Sequence, residues 1–176
     1  MVDKLLEYHV YDSNGTEIYP IISSAVTNNQ TSNSSIAMDL PVAKTYSGVK
    51  LASSSKDENG RYTGGQRGDQ TGREVYILDW YRSGWNYVLR PKTQRLAENI
   101  ARAAEAGCAN DNIGYSQGAR NTLYIEAQKV GLDLSKITTP CDCDCSSFVS
   151  ICCICAGLSP SIFYADGNMR TTYNMK

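Results

Sequence analysis

The chain has 176 residues, a hydrophobic content of 41% and a formal net charge of −1, values typical of one ordinary globular domain. This charge gives no electrostatic reason to expect nucleic acid or an anionic membrane as a partner. The start, MVDKLLEYHVYDSNG, lacks the basic and apolar regions of a signal peptide, and no apolar run approaches the roughly 20 residues of a membrane span. We therefore expect synthesis in a reducing cytoplasm, where a dense disulfide framework is disfavoured.

The first 46 residues differ in composition from the rest of the chain. LLEYHVYDSNGTEIYPII contains two β-rich runs, and the Ser13-Asn14-Gly15 turn between them favours a hairpin because Asn-Gly tolerates positive φ. The tract that follows, SSAVTNNQTSNSSIAMD, has too few apolar residues to pack a core. Residues 1–46 are therefore predicted to form a β-hairpin and a polar arm.

A second loop, SSSKDENGRYTGGQRGDQTG, precedes two strand-like segments. Val75 to Trp80 and Trp85 to Leu89 are rich in β-branched and aromatic residues, with a turn predicted around Ser83-Gly84. The glycines in the loop do not indicate a phosphate site, because the Lys-Ser/Thr pair is missing and a strand follows. We interpret this segment as an ordinary loop.

After Pro91 the apolar residues recur at helical spacing in three segments. We predict that these helices stop at Gly107, Gly131 and Gly157, and that the third spans residues 146–156. The predicted apolar faces consist of Leu96, Ile100, Ala103 and Ala104 in the first helix, Leu123, Ala127 and Val130 in the second, and Phe148, Val149, Cys152, Cys155 and Ala156 in the third.

Six of the seven cysteines lie in TTPCDCDCSSFVSICCICAG. Their spacing does not favour a zinc or iron–sulfur site, because Cys-x-Cys-x-Cys is poor chelate geometry for a tetrahedron. A disulfide from Cys108 to Cys141 or Cys143 stays open. The helical cysteines, Cys152, Cys153 and Cys155, are interpreted as apolar filling of the core. We expect neither a metal nor a cofactor.

Cys145 differs from the other cysteines in its position. It follows Asp144, a good N-cap residue, and begins an apolar helix. The free N–H groups and the helix dipole at such an end stabilise a thiolate, so the pattern predicts a lowered thiol pKa and a nucleophilic sulfur. The same amides can donate to a developing oxyanion. Cys145 is therefore the candidate nucleophile.

Two segments carry a resemblance to a known family. The run from Asp144 to Val149, DCSSFV, resembles the D-C-S-x-[FL]-V motif of NlpC-type cell-wall cysteine peptidases and amidases, which share a papain-like fold with CHAP-type enzymes. NIGYSQ, residues 112–117, resembles the family's glycine/tyrosine segment. The chain is also similar, over about residues 47–175, to peptidoglycan hydrolases of phages and prophages. Four segments carry this similarity, Gly68 to Val75, Trp85 to Pro91, Gly107 to Tyr115 and Thr138 to Ser147.

The resemblance implies an α+β fold, a papain-like core over residues 47–176 preceded by the arm. It implies that Cys145 attacks an amide carbonyl and forms a thioester, and that Tyr115 lies beside the thiol. In the family a histidine downstream of the cysteine, on an antiparallel sheet, is the base. No histidine follows Cys145 here, since His9 is the only one in the chain.

Three explanations of the missing histidine stay open. The chain is the N-terminal part of a longer enzyme lacking its C-terminal sheet, or it is a natural, catalytically inactive form, or His9 serves as the base. The first is the expectation, and these 176 residues alone are then expected not to hydrolyse peptidoglycan.

The predicted function is that of a phage-associated peptidoglycan hydrolase, either an endolysin or a virion-associated lysin. It would be made in the bacterial cytoplasm and act at the host cell wall. The alternative is an inactive virion structural or wall-binding protein on the same fold. The expected partners are peptidoglycan, phage tail or capsid proteins bound through residues 1–46, and the missing C-terminal segment.

Overall fold

A computed structural model of the chain describes residues 6–9, 48–81 and 88–171. The strands are β1 (Leu6–His9), β2 (Lys50–Ser54), β3 (Val75–Asp79), β4 (Val88–Pro91), β5 (Ile113–Tyr115), β6 (Cys141–Cys143), β7 (Tyr164–Ala165) and β8 (Asn168–Met169). The helices are α1 (Gln94–Cys108), α2 (Thr122–Lys129), α3 (Cys145–Cys155) and α4 (Pro160–Phe163), with a 3-10 turn at Leu134–Lys136. None of the helices in these ranges has the length and apolar character needed to cross a bilayer.

The described strands pair two by two. The pairs β1–β4, β2–β3 and β7–β8 are antiparallel, whereas β5 and β6 are parallel and are connected by α2. Short sheets combined with helices are compatible with the predicted α+β class; a papain-like core stays a prediction. The first strand of the predicted N-terminal hairpin is present as β1, and its described partner is β4. The turns predicted at residues 13–15 and 83–84, and the polar arm, lie outside the described residues.

The core is formed where α1, α2 and α3 enclose the β5–β6 pair. Leu123 and Ala127 of α2 are fully buried, as the apolar spacing predicts, and so is Ile113 of β5. Ile151 of α3 is fully buried as well. Burial of an aliphatic side chain of this size stabilises the fold by about 1.5–3 kcal/mol, so α3 is fixed mainly by its apolar face.

The predicted helix ends are confirmed for α2 and α3 but not for α1. Gly131 and Gly157 follow the ends of their helices with positive φ. Gly107 lies inside α1, which continues to Cys108. A Cβ atom on Gly107 would lie 2.7 Å from Cε2 of Phe148, so the glycine allows α1 and α3 to approach closely rather than ending a helix.

The prediction that Val149 belongs to the buried face of α3 is wrong. Val149 is 45% exposed, whereas Phe148 and Ile151 are buried. Val149 lies one turn beyond Cys145, and residues four apart share a face of an α-helix. The face of α3 that carries Cys145 is therefore turned to solvent, and the opposite face packs on the core.

Candidate active site

The parallel β5–β6 pair brings the two predicted site residues to one end of the fold. Tyr115 is opposite Cys143 in the register, and both residues end their strands. The N–H of Ser116 donates to the carbonyl of Cys143 over 3.0 Å, which extends the pairing past Tyr115. Because Cys145 lies two residues after Cys143, it starts α3 at the same edge as Tyr115.

The start of α3 is fixed by a reciprocal capping arrangement; the predicted N-cap residue, Asp144, is confirmed, and its partner Ser147 was not predicted. The N–H of Ser147 donates to the Asp144 carboxylate over 2.7 Å, and the N–H of Asp144 donates to the Ser147 hydroxyl oxygen over 2.9 Å. These two bonds satisfy donors that a helix start otherwise leaves free. Cys145 is the first residue of the helix and is exposed, so its sulfur is accessible.

The pKa of the Cys145 thiol is raised, so the expectation of a lowered value is wrong. Displacement of water by neighbouring protein atoms is the largest cause, followed by the negative charge of Asp144. The backbone amides of Ser146 and Cys145 and the charge of Arg120 act in the opposite direction but are outweighed. The helix end alone therefore leaves this thiol protonated at neutral pH, and a reaction requires a base.

Tyr115 is buried, with 2% of its surface exposed. Burial raises the pKa of its hydroxyl, and the charge of an ionised Cys145 raises it further, while a hydrogen bond from the Gln117 side chain acts in the opposite direction. The hydroxyl therefore stays protonated at neutral pH. The place beside the thiol and the role expected for Tyr115 stay predictions.

The loop before β3 supports the strand of Tyr115 through Glu74, and Asp69 holds the loop itself. The sequence interpretation missed both carboxylates. Glu74 is fully buried and accepts from the N–H of Tyr115 and of Gln70, each over 3.0 Å. Its pKa is raised by burial, against the effect of these two hydrogen bonds. The sequence feature that could have indicated these residues is the pair of acids, Asp69 and Glu74, in GDQTGRE. The sequence analysis interpreted this segment as an ordinary loop.

Asp69 shapes the same loop by accepting five backbone N–H groups. Its Oδ1 accepts from residues 71, 72 and 73, and its Oδ2 accepts from residues 74 and 75. Burial by itself raises the pKa of Asp69, but the backbone hydrogen bonds outweigh it and hold the pKa below its ordinary value. Gly68 lies directly against Gly114 of β5, where a Cβ atom would come within 2.3 Å of the Gly68 carbonyl oxygen.

Arg120 is a further residue that the sequence did not single out. Its Nε donates to Oδ2 of Asp144 over 2.6 Å, and this ion pair is mostly buried. Burial raises the pKa of Asp144, but the bond from Arg120 and the Ser147 N–H outweigh it, so the pKa is lowered. Asp144 therefore remains a carboxylate next to Cys145.

All seven cysteines lie in the described part of the chain and are free thiols in this structure, with no disulfide from Cys108 to Cys141 or Cys143. Cys152 and Cys155 are buried, which confirms them as core residues, whereas Cys153 is half-buried. Burial raises the thiol pKa to about 11 for Cys153 and to about 12 for Cys108, Cys141 and Cys155. It raises the thiol pKa of Cys143 and Cys152 well above the ordinary value. Among the described residues no group of three potential ligands is arranged to hold a metal ion.

His9 lies in β1, where its backbone is opposite Val88 of β4. Its assignment as the base stays a prediction.

Comparison with known proteins and families identifies the family of the chain. No curated protein and no solved structure matches the chain. The sequence profile of the endolysin-like domain matches residues 51–176, which includes Cys145, Tyr115 and Arg120 but not residues 1–46. This match covers more than half of the chain. The protein therefore belongs to the endolysin-like domain family.

Proposed function

We propose that this protein is a phage-associated peptidoglycan hydrolase that cleaves an amide bond of the cell wall through a thioester on Cys145. The observation that carries the proposal is an exposed cysteine at the capped start of a helix, beside a buried tyrosine, within an endolysin-like domain. An endolysin-like domain suggests cell-wall lysis, and an accessible thiol at a helix start supplies a nucleophile.

The chemistry follows from the groups at the start of α3. A base removes the proton from Cys145, and the sulfur attacks the carbonyl carbon of the amide. The negative oxygen that forms accepts hydrogen bonds from free N–H groups at the helix start. Collapse breaks the C–N bond, the amine leaves with a proton from the base, and water then hydrolyses the thioester to a carboxylate.

The proposed reaction also requires a base, which the contacts described above do not identify. A general base must lie within about 2.6–3.2 Å of the proton that it removes, directly or through one water. The thiol pKa of Cys145 is raised, so the sulfur is protonated at neutral pH. The reaction therefore depends on a base more than it would if the sulfur were already a thiolate. We place this role on an imidazole, supplied by a histidine of a longer form of the chain. His9 is the alternative within these 176 residues.

Turbidity loss of purified cell walls tests the proposal. We expect clearing by a form that carries the base, and its abolition by Cys145→Ala. Cys153→Ala, a change at a half-buried thiol of the same helix, is the matched control and should retain clearing. Full clearing by Cys145→Ala would overturn the proposal. Mass analysis of the released fragments shows which amide bond is cut.

A second function is favoured by the raised thiol pKa and the single histidine of the chain. Without a base, the same fold can bind cell walls or serve as a virion structural component. Sedimentation with insoluble walls distinguishes the two functions. Binding without release of fragments by every form, including one with a downstream histidine, would favour the binding role.

A further inference from the structure

The side chain of Arg120 connects three parts of the fold at the start of α3. Its Nε donates to Asp144 over 2.6 Å, and its Nη2 donates to the Ser146 hydroxyl over 2.8 Å. Nη1 donates to the carbonyl of Met169, and Nη2 also donates to the carbonyl of Arg170 over 3.1 Å. One guanidinium therefore binds both residues that flank Cys145 and the chain at the end of β8.

Asn121 strengthens the same connection. It is the N-cap residue of α2 but makes no side-chain capping bond to that helix. Its Oδ1 accepts from the N–H of Met169 over 2.9 Å, and its Nδ2 donates to the Asn168 side chain over 2.8 Å. Asn121 therefore bonds to residues 168 and 169 instead of capping α2, while the neighbouring Arg120 binds residues 169 and 170.

Besides its hydrogen bonds, Arg120 has an electrostatic effect on the Cys145 thiol. Asp144, Arg120 and Tyr115 each interact electrostatically with this thiol. Asp144 disfavours a thiolate, and Arg120 favours one. Only 16% of the Arg120 side chain and 12% of the Asp144 side chain are exposed, so solvent screens this pair much less than a surface pair.

We propose that Arg120 is a positioning residue for Cys145, because its guanidinium fixes Asp144 and Ser146 at the start of α3 and offsets the Asp144 charge beside the sulfur. This inference rests on the proposed role of Cys145 as nucleophile. A lysine cannot replace this geometry, since an ammonium group lacks the planar fork that reaches several acceptors together.

The test measures alkylation of Cys145 by iodoacetamide as a function of pH, with peptide mapping. The two informative variants are Asp144→Asn and the double variant Arg120→Gln/Asp144→Asn. Both lack the carboxylate, and asparagine remains a good N-cap residue. Asp144→Asn leaves the Arg120 charge without its carboxylate partner, whereas the double variant removes both charges of the pair, so the folded state of each variant is first checked by its thermal unfolding. Arg95→Gln, at an exposed position of α1, is the control for loss of one positive charge.

We expect Asp144→Asn to speed alkylation at pH 8 roughly twofold to fivefold, because the repelling charge is gone. Removal of Arg120 in the double variant should slow alkylation again, back toward the wild-type rate. Equal profiles for the two variants would overturn the electrostatic part of the proposal. Because alkylation needs no substrate, this result is independent of whether the protein lyses cell walls.

Arg120→Lys tests the positioning part, since it keeps the charge and loses the fork. We expect its alkylation profile to stay within about twofold of the wild type, while amide hydrogen exchange in residues 164–171 becomes faster. Unchanged exchange in this segment would overturn the positioning role. In a form that lyses walls, the same variant should lower kcat with little change in KM.

Discussion

The backbone N–H of Tyr115 donates a 3.0 Å hydrogen bond to the carboxylate of Glu74, which lies 41 residues earlier in the chain and is fully buried. Through this bond the loop before β3 holds the strand on which Tyr115 approaches Cys145. The second oxygen of Glu74 accepts from Gln70. Both oxygens are therefore needed as acceptors. A change at Glu74 is expected to affect the position of Tyr115 through the backbone of β5.

Glu74→Gln should lower the free energy of unfolding by about 1–3 kcal/mol, because an amide offers one acceptor oxygen where two backbone N–H donors, one of them the buried N–H of Tyr115, require one each. Chemical denaturation at neutral pH measures the loss. Glu98→Gln, at an exposed position of α1, is the matched control and should stay within about 0.5 kcal/mol of the wild type. Equal stability of the two variants would contradict the role given to Glu74.

Gly107→Ala should destabilise the protein by about 1–3 kcal/mol through overpacking, although alanine is the better helix former. The added methyl group would lie 2.7 Å from the Phe148 ring. Thermal or chemical unfolding measures the effect. Phe148→Leu in the same chain makes room for the methyl group, so the double variant should lose less stability than the sum of the single changes. Strict additivity would show that the two side chains do not meet.

Iodoacetamide should modify Cys145 before the other six thiols of the native protein, since Cys145 is exposed and burial protects the others. The reaction should nevertheless be slower at pH 7 than that of an ordinary thiol. The raised thiol pKa reduces the fraction of thiolate, and the rate should rise as pH increases through that pKa. Peptide mapping after partial labelling measures both effects. Preferential labelling of Cys152 would contradict its assignment to the core.

Asp69→Asn should destabilise the protein at neutral pH by about 1–3 kcal/mol, because Asp69 accepts five backbone N–H groups. The pKa of Asp69 is lowered on folding, so the stability it contributes is present above the unfolded value of 3.8. That stability is lost as pH falls through the lower, folded pKa. The gap between wild type and variant should therefore narrow in acid. A gap that stays constant from pH 7 to pH 2 would contradict this linkage.

The local features of the site were predictable from the sequence. The start of α3 at Cys145 follows from Asp144 and the apolar spacing behind it, and the end of α2 follows from Gly131. Capping and helical periodicity depend on residues within one or two turns of each other, so a short window of sequence contains the necessary information. The prediction that α1 ends at Gly107 was wrong for the same reason. A glycine that ends a helix and a glycine that allows an aromatic ring to pack closely against the helix look alike in a short window of sequence.

Other features of the site depend on residues that are distant in sequence. Arg120 and Asp144 are separated by 24 residues, and Glu74 and Tyr115 by 41. The thiol pKa of Cys145 is a sum of burial, a repelling carboxylate, helix amides and one guanidinium, and only the amides and the carboxylate are visible as neighbours in the sequence. The sequence by itself therefore determined that Cys145 follows the N-cap residue of a helix. Tertiary packing decided its protonation and its supporting residues, because desolvation and charge interactions depend on distances in space.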